Sequence, residues 1–397
     1  MEAPIRQDLL SNARNALGGA ALLDQDILGD AIERLEWSEK RSGEHSRAAQ
    51  ITRRTALTGG AAGLAATLLA ACGGSGAAIG DAHGAGGNIS SIFGHSGGYR
   101  FTVVNHATAN TVFTATQNGV QDACKLLNCS YQWTGSGSGS VAAMVGAINT
   151  AVAAGVDGIA TSLIAKGSFD KPVAAALEAG IPVVSYNADV ATNPRLAYIG
   201  QDLVRSGQEM GRRIQALMPR GGRITVFIAT PGSANLQPRL DGLRQVLHGT
   251  NITVHSEASA ASEPQELTSI ETFVGNNLRA YDGYFAVDGG STEAVAQAIQ
   301  KYNLHTRGVL GGGFDLTQVT QQSLQSGYIQ FAIDQQPYLQ GFLPILELFL
   351  HRISAGLTGI ADVDTGVKLV DRESVKPYVS TMSRFEGTGT TPGVQHA

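Results

Sequence analysis

Val141–Tyr186 reads VAAMVGAINTAVAAGVDGIATSLIAKGSFDKPVAAALEAGIPVVSY, and this stretch decides the fold class. Val141–Ala154 has helix length and is amphipathic. DGIATS (Asp157–Ser162) and IPVVSY (Ile181–Tyr186) are short apolar runs bounded by Gly, Asn or Asp. Each reads as a buried strand, with helix-length segments before and between them. Strands alternating with helical crossovers build parallel sheets that are covered on both faces.

The same alternation extends in both directions. YRFTVVN (Tyr99–Asn105) lies upstream; GRITVFIA (Gly222–Ala229), YDGYFAV (Tyr281–Val287), RGVLGGGF (Arg307–Phe314) and YIQFAI (Tyr328–Ile333) lie downstream. Leu203–Leu217 and Thr292–Lys301 are further helices. A single sheet would need ten or more strands, so the expected fold is α/β with two doubly wound, Rossmann-like parallel-sheet domains. Parallel sheets bind ligands at the carboxyl ends of their strands. Two such domains therefore turn their strand ends toward a shared cleft.

The residues at those ends are polar. Asn110 and Phe113 follow the first strand, Ser162 the second of the quoted runs, and Asn187 the next. Arg239 follows GRITVFIA, Asp288 follows YDGYFAV, Asp315 follows GGGF and Gln335 follows YIQFAI. These eight are the candidate ligand-binding residues. They supply hydrogen-bonding groups and one aromatic ring, with no activated nucleophile, so no catalytic residue, cofactor or metal site is expected. GSGSGS (Gly135–Ser140) matches no phosphate-loop spacing and reads as a loop with Ser140 capping the next helix. His106, near the first strand end, reads as a structural histidine that could touch ligand.

The bulk numbers exclude several classes. The 397 residues carry a net charge of −5, with 43% hydrophobic and 15% charged residues. No basic face is available for nucleic acid. No window approaches the ~20 apolar residues of a membrane-spanning helix.

Upstream, Thr52–Gly74 reads TRRTALTGGAAGLAATLLAACGG. An arginine pair, a short weakly apolar run and small residues form an export-signal layout. Arg53-Arg54 resembles the twin-arginine class. Leu69-Ala70-Ala71-Cys72 resembles a lipoprotein box in which Cys72 is lipidated, and Gly73–Gly98 reads as a flexible tether. Cys124 and Cys129 are an even pair in an exported chain, which suggests a disulfide; two buried free thiols are the other reading.

In order along the chain, Asn105, Asn110 and Phe113, AAGVDGIATS, AGIPVVSYNAD, AYIGQDLVRSGQEMGRRI, PGSANLQPRLDGL, FAVDGGSTEAVAQAI, GGGFD and AIDQQPYLQG resemble the ribose-type branch of periplasmic binding proteins across residues 99–371. The resemblance implies a ligand in the cleft between the domains. It implies that Phe113 stacks on a sugar ring, that Asn110 bonds a hydroxyl, and that Arg239, Asp315 and Gln335 are ligand groups. That family usually has Asp-Arg where Asn187-Ala188 stands and Asn where Asp288 stands, which points away from ribose and toward another sugar or polyol. Ser262–Gln265, where a second aromatic is common, has none, and Trp133 is a candidate to compensate.

The expected organisation is residues 1–71 as pre-region and signal and 72–98 as tether. Residues 99–201 plus 336–362 form the first domain, 202–335 plus 363–385 the second, and 386–397 a tail. Crossings between domains are expected near Gly200–Asp202, Gln335–Pro337 and Ala361–Val363. The expected function is a monomeric, membrane-anchored substrate-binding lipoprotein of an ABC importer, outside the cytoplasm, delivering a sugar or polyol to an ABC permease. A lipoprotein that presents a sugar-like signal to a membrane receptor is the alternative. An enzyme using Asp288 and Asp315 as a carboxylate pair is disfavoured, and a repressor is disfavoured by the export signal.

Overall fold

The structure, a computed structural model, describes residues 98–380. Cys72, the twin-arginine segment, the tether before Gly98 and the tail after residue 380 lie outside them. Chain order is β1 (Arg100–Asn105), α1 (Thr114–Leu127), β2 (Ser130–Gly135), α2 (Val141–Ala153), β3 (Gly158–Thr161), α3 (Asp170–Glu178), β4 (Val183–Tyr186) and β5 (Ala197–Gly200). The chain continues with α4 (Leu203–Leu217), β6 (Gly222–Ile228), α5 (Gln237–Leu247), β7 (Ile252–Ala258), α6 (Glu263–Asn276), β8 (Gly283–Ala286) and α7 (Gly289–Lys301). It closes with β9 (Leu310–Phe314), α8 (Gln318–Ser326), β10 (Phe331–Asp334), α9 (Pro337–Ile353), β11 (Val363–Asp364) and β12 (Lys368–Val370).

The strands form two sheets of six, in the orders β11-β5-β4-β3-β1-β2 and β12-β10-β9-β8-β6-β7. Pairing is parallel throughout except where β12 runs antiparallel to β10. All seven expected strands are present. Side chains alternate across each strand, so β1 sends Phe101 and Val103 into one core and Val104 into another. The second sheet is sandwiched in the same way: Phe227 and Ala286 pack on one face, Val226 and Phe285 on the other. Burying each large side chain stabilises the fold by roughly 1.5–3 kcal/mol, enough to explain why central strands read as continuous apolar runs.

Helix pairs cover these sheets at close range. A Cβ on Gly207 of α4 would lie 1.9 Å from the carbonyl oxygen of Arg239 on α5, and one on Gly242 would lie 2.2 Å from that of Val204. Gly119 of α1 and Gly341 of α9 play the same part in the first lobe, with backbone oxygens 2.1 and 1.9 Å from the added carbon. Glycine is required at each contact because two helix backbones meet there.

The chain passes between sheets after β5, after β10 and after β11. The third crossing was expected near Ala361–Val363, but Val363 and Asp364 still pair with β5, and the chain leaves the first sheet only after Asp364. The three crossing segments are bonded to one another. Thr365 N donates to Gly200 O (2.9 Å), Thr365 Oγ1 donates to Gln335 O (2.9 Å), and Gln201 Nε2 donates to Gly366 O (2.9 Å).

Cys124 and Cys129 are free thiols here, not the expected bridge. Asn128 ends α1 in a left-handed conformation, and the amide of Cys129 turns back onto Cys124 O at 3.0 Å. That turn brings the two side chains together as a hydrogen-bonded thiol pair, and this bond, with burial second, pushes the Cys124 thiol upward. Trp133 packs on the first-lobe core rather than at the cleft. Ser140 caps α2 as expected, accepting from Ala143 N at 3.3 Å. Among the described residues no helix is long and apolar enough to cross a membrane.

Candidate functional site

The carboxyl ends of both sheets face one cavity of about 210 Å³. Seven of the eight candidate residues line it: Asn110, Phe113, Asn187, Arg239, Asp288, Asp315 and Gln335. Ser162 does not. It is fully buried one layer back, with its Oγ 2.7 Å from His106 Nδ1.

Local backbone places the polar groups. Asn187 ends β4 and Asp315 ends β9, and both adopt left-handed φ, 65° and 68°. Asn and Asp tolerate that region better than other non-glycine residues, and such outliers gather at functional sites. Asp288 caps α7, its Oδ1 accepting from Ser291 N at 2.9 Å and its Oδ2 from Ala229 N at 3.3 Å. Thr292 Oγ1 on α7 accepts from Phe314 N on β9 at 2.9 Å. A Cβ on Gly313 would fall 2.1 Å from that hydroxyl. The glycine run of β9 thus lets α7 sit close enough to hold Asp288 and Asp315 at one cavity wall.

Gln335 joins the two lobes chemically. Its Oε1 accepts from Asn187 Nδ2 of the first lobe and from Arg239 Nη2 of the second, both at 3.0 Å, and its Nε2 donates to Asp315 Oδ1 at 2.6 Å. Arg239 also donates through Nη1 to Val287 O at 2.9 Å, and its guanidinium stacks 4.1 Å above the Phe314 ring. Among the described residues its buried Nε has no hydrogen-bond partner. Burial lowers its pKa, while the Asp315 carboxylate opposes that shift. Burial raises the Asp315 carboxyl to about 6, against the pull of Arg239 and the Gln335 hydrogen bond.

Five polar residues of the wall escaped the strand-end reasoning: Ser138 on the β2–α2 loop, Thr230, Ser233 and Asn235 on the β6–α5 loop, and Glu266 on α6. His106 belongs to the wall as well, with a protein partner at each ring nitrogen. Its ring meets Phe113 edge-on at 5.1 Å, and its Nε2 lies 3.4 Å from Asn235 Nδ2. Burial, reinforced by Arg239, lowers its pKa to about 4, so it is neutral at physiological pH. Asn235 donating to Nε2 leaves Nδ1–H to donate to Ser162. Phe113, Val112, Ile164 and Leu236 supply the apolar part of the wall. Among the described residues no cluster of His, Cys, Asp and Glu could hold a metal ion.

A cavity at the strand ends of two parallel sheets, lined by polar groups with an aromatic and spanned by a bridging amide, is built to surround a small polar solute. Residues 101–350 match the periplasmic binding protein domain. The chain belongs to that family. Its members bind solutes outside the cytoplasm and are not enzymes. The chain is 43% identical over 306 residues to the xylose/arabinose-binding protein XylF of Sulfolobus acidocaldarius, covering 74% of this chain and 75% of the relative.

Solved structures share the fold of this binding protein. One is a solute-binding protein of Burkholderia graminis in complex with D-arabinose, with a TM-score of 0.66 and 23% identity over 71% of this chain and 98% of that one. Another is the glucose-galactose binding protein GanP of Geobacillus stearothermophilus, with a TM-score of 0.63 and 20% identity over 70% and 98%.

Proposed function

We propose that this chain captures a neutral monosaccharide of the pentose class, or a similar polyol, by closing its two lobes, and delivers it to an ABC permease. The observation that carries the reading is the convergence of Asn110, Asn187, Arg239, Asp288, Asp315 and Gln335 from both lobes on one cavity. Its volume lies below the roughly 300–1,000 Å³ of drug-sized sites, which suits a single sugar ring. The xylose/arabinose relative supports the pentose class.

In this reading Phe113 covers an apolar C–H face of the ring. Asn110 spends its Oδ1 on Val112 N at 2.9 Å and keeps its amide N–H groups for a ligand hydroxyl. Arg239 donates, and Asp288 and Asp315 accept, charge-assisted bonds to hydroxyls. Calorimetric titration of the purified chain with xylose, arabinose, ribose, glucose and xylitol is the test. Failure of every sugar and polyol to bind would sink the reading.

We further propose that the first domain is 99–201 plus 336–362 and the second 202–335 plus 363–385, with Val363–Asp364 as a strand lent to the first sheet. The protein works as a monomer held to the membrane through lipidated Cys72. The lipoprotein box and the Gly/Ala/Ser stretch after it support the anchor. Cys72→Ala should move the chain from the membrane fraction to the soluble fraction; retention in the membrane would count against it.

A further inference from the structure

We propose that Glu266 is a specificity-determining ligand contact, joined to Asp288 by one shared proton, so that the pair meets ligand hydroxyls as a single negative charge and the site turns away anionic solutes. This rests on the solute-binding reading and names its substrate class more closely. Glu266 stands on the first turn of α6, just beyond Ser262–Gln265, and lines the cavity while only 3% exposed. Ser291 ties it to Asp288, its amide donating to Asp288 Oδ1 at 2.9 Å and its hydroxyl to Glu266 Oε2 at 3.0 Å. Glycine at residue 290 of α7 leaves room for its carboxyl in this position: a Cβ there would lie 2.5 Å from Glu266 Oε2.

The surroundings decide which carboxyl keeps the proton. Both oxygens of Asp288 accept backbone N–H groups, and the residue sits at the N-terminus of α7, where the helix dipole favours negative charge. Glu266 receives only the Ser291 hydroxyl, at 3.0 Å, from a serine that is itself 2.7 Å from Ser259 Oγ. Burial raises both carboxyls, the two repel each other when charged, and the one whose charged form receives fewer hydrogen bonds holds the proton. Burial first and the Asp288 charge second raise Glu266 to about 9.

The other charges nearby keep that balance. Glu263, on the same turn of α6, adds repulsion. Asp315 contributes a further carboxylate just beyond β9, and Glu293, further along α7, has its carboxyl raised by burial. Arg239 is the cation of the cavity wall, and His106 is neutral. With one proton shared, the wall carries Arg239 against the pair and Asp315. An anionic sugar therefore meets net negative charge, whereas a neutral ring meets acceptors for its hydroxyls.

Two measurements on the full chain test this. In calorimetry with xylose and arabinose, wild type should bind with level affinity from pH 6.5 to 8 and weaken at least about tenfold by pH 10, as the shared proton is lost. Glu266→Gln, which keeps a hydrogen-bonding group without charge, should bind equally across that range, and Glu266→Ala should bind at least about tenfold more weakly. Glucuronate and galacturonate should not bind wild type. Wild-type affinity in the Ala variant, identical pH profiles for wild type and the Gln variant, or tight uronate binding would each overturn the proposal.

The second measurement needs no sugar. In the ligand-free chain with ¹³C-carboxyl-labelled glutamate, the resonance that Glu266→Gln removes should titrate far above the usual carboxylate range; titration within that range overturns the shared proton. If no sugar binds wild type, the function reading and the ligand role of Glu266 fail together, and the carboxyl titration still decides the pair.

Discussion

The backbone amide of Ala234, in the second lobe, donates a 2.9 Å hydrogen bond to the carbonyl of Ile164, in the first. It has company at the cleft mouth. The amide and hydroxyl of Thr111 both donate to Glu263 Oε1 at 3.3 Å, and His106 faces Asn235 at 3.4 Å. Groups that an open cleft would give to water are paired across it, so in this form the cleft mouth is shut.

Removing the Thr111–Glu263 contact should loosen that form without touching the inner wall. Two bonds at an exposed mouth are each worth about 0.5–1.5 kcal/mol. Glu263→Ala should therefore speed sugar dissociation at least about fivefold, with a smaller change in association. Stopped-flow release measured with a competing sugar checks it, and an unchanged release rate would mean that the contact holds nothing closed.

Arg239 and Asp315 make the charged hydrogen bonds of the proposed ligand site. A bond of that kind is worth roughly 1.5–3 kcal/mol, so Arg239→Ala and Asp315→Ala should each weaken binding by at least about tenfold. Arg239→Lys should not rescue, because one ammonium cannot serve Val287 O, Gln335 Oε1 and the Phe314 face together. Phe113→Ala should weaken binding as well, through lost contact with the ring. Calorimetry on the four variants is the measurement.

His106 should give the ligand-free protein an acid-sensitive stability. An unfolded histidine takes up its proton near pH 6.5, whereas buried His106 resists until about pH 4. Between those values the unfolded chain binds more protons, so the free energy of unfolding rises with pH through this window and falls on acidification. In His106→Gln this contribution is absent. The difference in melting temperature between wild type and variant should change from pH 6.5 to 4 and stay constant above pH 7.

Gly207→Ala places a methyl where the Arg239 carbonyl now sits. Helix α5 must retreat from α4, at a cost of about 1–3 kcal/mol, and must carry the Arg239 guanidinium with it. Lower melting temperature and weaker sugar binding should appear together. Ala at Gly146, which has open space around it, should change neither beyond about 1 kcal/mol.

Central strands were legible in the sequence because both of their faces are buried. The strands that were not read as runs are edge strands or the neighbour of one: β2 and β7 are half-exposed with polar residues on their outer faces, while β5, β11 and β12 have two to four residues. Seven wall residues were legible because they follow strands in parallel sheets. Ser162 follows one too, but His106 stands between it and the cavity. Glu266 was hidden for a different reason. An acidic residue in the first turn of a helix ordinarily faces water, and the room for this carboxyl is left by Gly290, 24 positions away in sequence. The absence of an aromatic at Ser262–Gln265 was the available hint that this wall is polar.

The bonds among the three crossing segments also limit how the lobes can move. Thr365 binds both Gly200 and Gln335, and Gln201 binds Gly366, so the segments form a single laced strap. Bending the strap about one line keeps every lace intact. Sliding one lobe past the other, or twisting it, stretches at least one of them. The laces therefore favour hinge bending over sliding or twisting as the motion of one lobe against the other. Under the proposed function, what a permease would read from the shut form is then chiefly the angle between the two lobes.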